Sequence, residues 1–222
     1  MFPMITAAVF SEYGMKAEDL LFRILFIIIF SLLSVIRFYF KGKSKQLFRV
    51  KQVKLEGLRL VIFRWILGIP LLGATAFYCF FPEIFPFLFI DIPLFLRITG
   101  VALGLFSVFI ITWCHIVLGA NFSISIDIPS EHHLITCGPY SFIRHPMYVS
   151  YFLLFTSVFF ISENWLLGVS GVCIILSLMT GRLKKEEEKL IETYGDKYSA
   201  YRKEIGKFLP KQKKSHRKYT GM

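Results

Sequence analysis

Five apolar runs, at residues 20–40, 58–81, 94–118, 146–160 and 165–180, dominate this chain and leave it few ways to fold. At about 1.5 Å of rise per helical residue, some twenty such residues match the hydrocarbon thickness of a bilayer. Lipid offers a backbone no hydrogen-bond partners, so runs of this kind cross as helices that satisfy their own N–H and C=O groups. Only residues 161–164, with Ser162, Glu163 and Asn164, divide the last two runs. So short a break demands an antiparallel helical hairpin. The expected fold is an all-α integral membrane protein with about five transmembrane helices, preceded by a short interfacial arm at 1–19.

Charge gives these helices a direction. The chain carries 26 Lys and Arg against 15 Asp and Glu, a net +11, and its cations gather between the apolar runs. Lys41, Lys43, Lys45, Arg49, Lys51 and Lys54 follow the first run, and Lys211, Lys213, Lys214, Arg217 and Lys218 fill the tail. The segment 82–96 holds three prolines, Glu83 and Asp91, with no Lys or Arg. Positive residues mark the cytoplasmic side. Segments 41–56 and 119–146 and the tail are therefore expected inside, and 82–96 and 161–164 outside. No basic, aromatic-interleaved soluble module is present, so the charge does not point to nucleic acid.

Other features read as packing. Cys79, Cys114, Cys137 and Cys173 form no C-x-x-C pair, and neither a disulfide framework nor a metal site is expected. The first twenty residues lack the pattern of a cleavable signal peptide. Gly100 and Gly104, four apart, suit the close approach of another helix of the same chain. His115 reads as a packing residue and Pro70 as a kink. Arg37 and Tyr39 sit where a cation can snorkel and an aromatic can meet headgroups. Arg64, inside the second run, is either a functional residue or another snorkelling cation.

Chemistry concentrates in two places. The segment 132–148 reads HHLITCGPYSFIRHPMY and holds three of the five histidines between apolar runs. Gly138-Pro139 is a turn dipeptide, and Pro146 suits the first turn of the next helix. Arg144, His145 and Tyr148 are thereby fixed at a helix start, whose open N–H groups can receive a carboxylate. The second place, GRLKKEEEKL at 181–190, follows the last apolar run directly. Arg182 and Glu186, four apart, share a helical face at the end of a membrane span.

Taken together, GPYSFIRHPMYVSY, an apolar hairpin, RLKKEEEKLIETYGDKYSAY and Phe208-Leu209-Pro210 carry a resemblance. This chain resembles the isoprenylcysteine carboxyl methyltransferase family and, more broadly, the membrane phospholipid methyltransferases, over roughly residues 119–210. The resemblance implies an S-adenosylmethionine-dependent methyltransferase with its donor site in the insert and the C-terminal helix. No G-x-G-x-x-G after a plausible strand argues for a nucleotide-binding sheet instead. It divides the chain into an N-terminal arm with three transmembrane helices, 1–118, and a methyltransferase region, 119–222, with a cytoplasmic cofactor-binding insert, the hairpin, a C-terminal helix and a basic tail. Donor contacts are implied for His132, His133, Leu134, Ile135, Tyr140, His145, Pro146, Met147, Tyr148 and Glu186, and acceptor contact for Arg182. Where the family often has an amide side chain before this stretch, the chain has Ser125 or Ile126.

The implied acceptor is a lipid, a lipidated group or a small molecule. A carboxylate is already ionised and needs only orientation, which Arg182 can supply through paired hydrogen bonds. An amine, as in phospholipid methylation, must first lose a proton, for which Glu186, Glu187 or His145 would serve. A thiol acceptor also stays open. Membrane sterol reductases using NADPH share the GPY, RHPxY and YGxxY pieces, but the R-x-x-x-E-E spacing favours the methyltransferases.

Overall fold

A computed structural model describes residues 17–43, 58–81, 84–119 and 133–211. Most of the basic segment after the first helix, Ser125, His132 and the tail beyond Lys211 lie outside the described residues. The architecture is helical throughout: α1 (Ala17–Lys43), α2 (Leu58–Phe80), α3 (Leu94–Leu118), α4 (Pro146–Ser162), α5 (Trp165–Gly181), α6 (Leu183–Tyr194) and α7 (Asp196–Glu204). Among the described residues strand-like pairing is limited to two isolated bridges.

Helices α1, α2 and α3, and α5 together with α6, are long and apolar enough to cross a membrane, whereas α4 is a shorter apolar helix of 17 residues. Exposed Leu21, Ile28, Val35, Trp65, Ile69, Phe106 and Phe109 coat the outside of the bundle. A surface so apolar is stable only against lipid. The chain is a multi-pass membrane protein.

The inner faces obey helical periodicity. Phe22, Phe26, Ile29 and Leu33 form one buried stripe along α1, spaced to return to the same side of the helix. They pack with Tyr78 of α2, Val108 and Ile111 of α3, and Leu154, Val158 and Ile161 of α4. The paired glycines of α3 meet α4, as their spacing predicts. A Cβ on Gly100 would lie 2.8 Å from Phe160 Cβ, and one on Gly104 would lie 2.6 Å from Ser157 Oγ. That approach lets Ser157 Oγ donate to the Gly100 carbonyl at 2.7 Å.

The α4–α5 hairpin closes in two residues. Glu163 takes the left-handed conformation (φ 55°), and the Asn164 side chain caps α5 by accepting from Leu167 N at 3.1 Å. Here a cluster appears that linear spacing concealed. Buried Arg97, in the first turn of α3, contacts Asp19 of α1 at 2.8 Å and Glu163 at 3.3 Å. Its guanidinium also lies over the Phe22 ring, 4.0 Å from the centroid. Because α1 begins at Ala17, Glu18 and Asp19 lie in its first turn instead of in an interfacial arm. This end of the bundle is thus tied by charge, remote from the motifs described next.

The remaining sequence expectations resolve locally. Helix α2 runs through Pro70 without ending, and Arg64 is half-buried within it. His115 is buried and stacks on Phe40 of α1, centroids 5.0 Å apart, as a packing residue should.

Candidate functional site

The site begins where the insert turns into α4. Gly138 adopts φ 59°, a backbone region open to glycine, and starts a single 3-10 turn over Gly138–Ser141. Ser141 Oγ closes that turn on the Gly138 carbonyl at 2.7 Å. Pro146 then occupies the first position of α4, where its missing N–H costs no hydrogen bond. His145 is fixed immediately before it.

A strap from the far end of the chain holds this start in place. The backbone N–H groups of Arg144 and His145 donate to the Gly206 and Lys207 carbonyls at 2.8 and 3.2 Å. Tyr201 of α7 donates its hydroxyl to the Tyr140 carbonyl at 2.6 Å. Burial raises the Tyr201 phenol to about 12, so it remains a neutral donor. Tyr201 belongs to the YGDKYSAY stretch that carried part of the family resemblance.

Helix α6 supplies the carboxylates. Arg182 has helical dihedrals, and Glu186 N donates to the Arg182 carbonyl at 3.0 Å, so α6 continues from α5 almost without interruption. Adjacent residues on a helix point about 100° apart. Glu186 and Glu187 therefore serve different partners. Tyr148 donates its hydroxyl to Glu186 Oε2 at 2.8 Å, and Arg182 Nε approaches the same oxygen at 3.8 Å.

Glu187 turns inwards and is buried. Its Oε1 lies 3.1 Å from His145 Nε2 and 3.3 Å from an Arg144 nitrogen. An ionised carboxylate only accepts, so Nε2 carries the proton in that contact. The His145 ring meets Tyr148 edge-on, with centroids 5.9 Å apart, and faces Phe208 of the strap at 6.4 Å. Tyr140 completes the group. Its phenol is held well above the ordinary range, chiefly by burial, and it contacts the Cys114 thiol of α3 and senses Glu186.

Of the residues singled out from the sequence, Tyr140, His145, Pro146, Tyr148, Arg182 and Glu186 converge here. Met147 is half-buried on the first turn of α4. His133, exposed, and Leu134 and Ile135, half-buried, lie on the irregular approach to Gly138, and His132 falls outside the described residues. The inward role of Glu187 and the strap at 205–208 were not apparent from the motif itself.

Comparison with known proteins bears on the family and the fold. Residues 100–192 match the sequence profile of the isoprenylcysteine carboxyl methyltransferase (ICMT) family. Human protein-S-isoprenylcysteine O-methyltransferase is 28% identical over 117 residues, covering 52% of this chain and 41% of that protein. The Schizosaccharomyces pombe enzyme of the same name is 29% identical over 80 residues, covering 36% and 34%. A methanethiol S-methyltransferase of Crocosphaera subtropica is 29% identical over 73 residues, 32% of this chain and 27% of that one. The chain therefore spans less than half the length of these curated relatives. A solved structure of the eukaryotic intramembrane Ras methyltransferase ICMT shares the fold, with a TM-score of 0.51 over 84% of this chain and 67% of that one, at 20% identity.

Proposed function

We propose, from the premise that this chain belongs through residues 100–192 to the isoprenylcysteine carboxyl methyltransferase family, that it is an S-adenosylmethionine-dependent methyltransferase acting on the carboxylate of a lipidated or lipid-like acceptor. The observation that carries the reading is the meeting of Tyr148 and Arg182 on one oxygen of Glu186, at the end of a membrane span. A carboxylate, an arginine and two aromatic rings within one turn of a helix start suit a cationic donor beside an anionic acceptor.

When bound, S-adenosylmethionine supplies an electrophilic sulfonium methyl for in-line transfer. The protein's share is to hold both partners close and exclude water. Glu186 offers negative charge to the donor, and Tyr148 keeps that carboxylate in one orientation. His145 and Pro146 form the wall beneath, with His145 locked by Glu187. Arg182, whose side chain is only 15% exposed, presents planar paired N–H donors to the acceptor carboxylate. Residues 119–222 hold this machinery, and residues 1–118 provide the arm and the first three spans.

The test is donor binding. His145→Ala and Tyr148→Phe should each weaken S-adenosylmethionine binding at least about tenfold, roughly 1.4 kcal/mol. Titration calorimetry on folded variants decides it, and unchanged affinity in both would remove the site. Methyl transfer to prenylated, phospholipid and thiol acceptors then identifies the acceptor class.

The one-sided positive charge supports a cytoplasmic site and C-terminus. Cysteines introduced at positions 43 and 214 should label only from the cytoplasmic side, and one at 163 only from outside. Labelling of position 43 from outside would reverse the orientation.

A further inference from the structure

Arg37 lies in the last two turns of α1. It reaches across to α4, where its guanidinium donates to the Tyr151 hydroxyl at 2.7 Å and lies 5.4 Å from the centre of that ring. Arg37 itself is exposed, while Tyr151 is half-buried. Phe40, one turn further along α1, stacks on buried His115 and pins this end of the helix against α3. The guanidinium is therefore held in a defined place at the seam between α1 and α4.

That seam leads to the site. Tyr151 lies three residues beyond Tyr148 on α4, and residues so spaced are surface neighbours on a helix, with Cβ atoms about 5–6 Å apart. Tyr148 carries Glu186, while Tyr151 carries Arg37. Two tyrosines one turn apart on α4 thus stand between the Arg37 guanidinium and the proposed donor position.

Two further points concern charge. Among the described residues no carboxylate lies within ion-pair distance of Arg37, whereas Arg97 has two and Arg144 and Arg182 have one each. The phenol occupies one of five guanidinium N–H donors and cancels none of its charge. An ionisable residue inside an apolar run is a candidate for contact with an ion or a charged substrate.

We propose that Arg37 is a specificity residue that receives the carboxylate of an amphiphilic acceptor arriving sideways from the bilayer between α1 and α4, before Arg182 takes that group at the reacting position. This rests on the methyltransferase reading above. It assigns the two arginines different parts of the kinetics, with Arg37 governing KM and Arg182 governing kcat.

The test uses the full chain in zwitterionic lipid nanodiscs, with N-acetyl-S-farnesylcysteine as the acid probe and its methyl ester as the neutral one. Wild-type protein should bind the acid better than the ester. Arg37→Gln should weaken acid binding and raise its KM about tenfold, as loss of a charged hydrogen-bonding partner does. Ester binding, donor affinity and kcat should each stay within about twofold of wild type, the range of a change that leaves the reacting groups in place. Arg37→Lys should recover part of the preference, since charge remains but the planar fork does not.

Equal losses for acid and ester, or an unaltered preference for the acid, would overturn the assignment; the latter is also expected if Arg37 serves a lipid headgroup. Absence of any acid preference in the wild type would overturn it too. If Arg37→Gln does not fold, Tyr151→Phe removes only the anchoring hydroxyl and should cut the preference about threefold, in the range of one lost hydrogen bond. An unchanged preference there would count against the proposal. Should the wild type methylate neither this acid nor any other acceptor, the enzymatic reading fails. The acid-over-ester comparison would still decide the role of Arg37.

Discussion

Arg182→Ala is expected to leave donor affinity almost intact while methyl transfer collapses by at least about a hundredfold, in line with the loss of a charged group acting chiefly in the transition state. Arg182 and Glu186 form an i,i+4 pair at 3.8 Å. The two side chains are only 15% and 31% exposed, so a merely structural pair would register as a lower unfolding midpoint and not as lost turnover in the folded variant. Glu186→Ala should act on the other partner, chiefly weakening donor binding through loss of the counter-charge to a cation. Lysine at 182 should rescue turnover poorly, because a point charge cannot make the planar two-bond contact with a carboxylate. Donor titration and methyl transfer on each folded variant check the division. Equal donor-binding losses in both would refute it, and full activity in Arg182→Ala would remove the case for an anionic acceptor.

The larger structural effect belongs to the neighbouring carboxylate. Glu187→Leu should lower the thermal unfolding midpoint by about 10 °C, whereas Glu188→Leu should shift it by no more than about 2 °C. Glu187 is 10% exposed and meets Arg144 (8%) and His145 (5%), so its removal strands a guanidinium away from water. Breaking such a buried pair from one side costs about 3–5 kcal/mol. Glu188 is 61% exposed and its partner Lys184, at 4.0 Å, is 83% exposed. Glu187→Gln keeps an acceptor for His145 but gives up the charge, and should fall between. Fluorescence-monitored unfolding in one detergent reads all three. Equal midpoints for the two leucine variants would mean that the Arg144–His145–Glu187 group does not hold the site together.

These two glutamates also show where reading the chain succeeds and where it stops. The run KKEEEK looks like an ordinary solvated helix, and Lys184, Glu188 and Lys189 behave as one. That Glu187 turns inwards depends on where α4 and the strap lie, which local spacing does not contain. Short-range constraints were readable. The hairpin follows from a break too short for anything else, and Pro146 and Gly138 mark a turn and a helix start that the structure reproduces. Gly100 and Gly104 indicated close packing because only small residues admit a second backbone.

Long-range pairs were not readable. Arg97 finds Asp19 across 78 positions, and Arg37 finds Tyr151 across 114. Nothing in either neighbourhood names the partner. That Arg37 can snorkel follows from its depth, but depth does not say towards which neighbour a side chain turns.

The shortness of α4 has a kinetic meaning. Seventeen residues extend about 25 Å, less than the roughly 30 Å of hydrocarbon in a typical bilayer. On the proposed cytoplasmic placement of the helix start, a helix this short brings the boundary between oil and water towards Tyr148. On the proposed reading, an acceptor with a prenyl tail then reacts while still dissolved among lipids. Its effective concentration is its mole fraction in that layer, so added lipid dilutes it as added buffer would dilute a soluble substrate. The donor, arriving from water, is diluted only by buffer. Rates would therefore answer to two independent scales of concentration, one for each solvent the site touches.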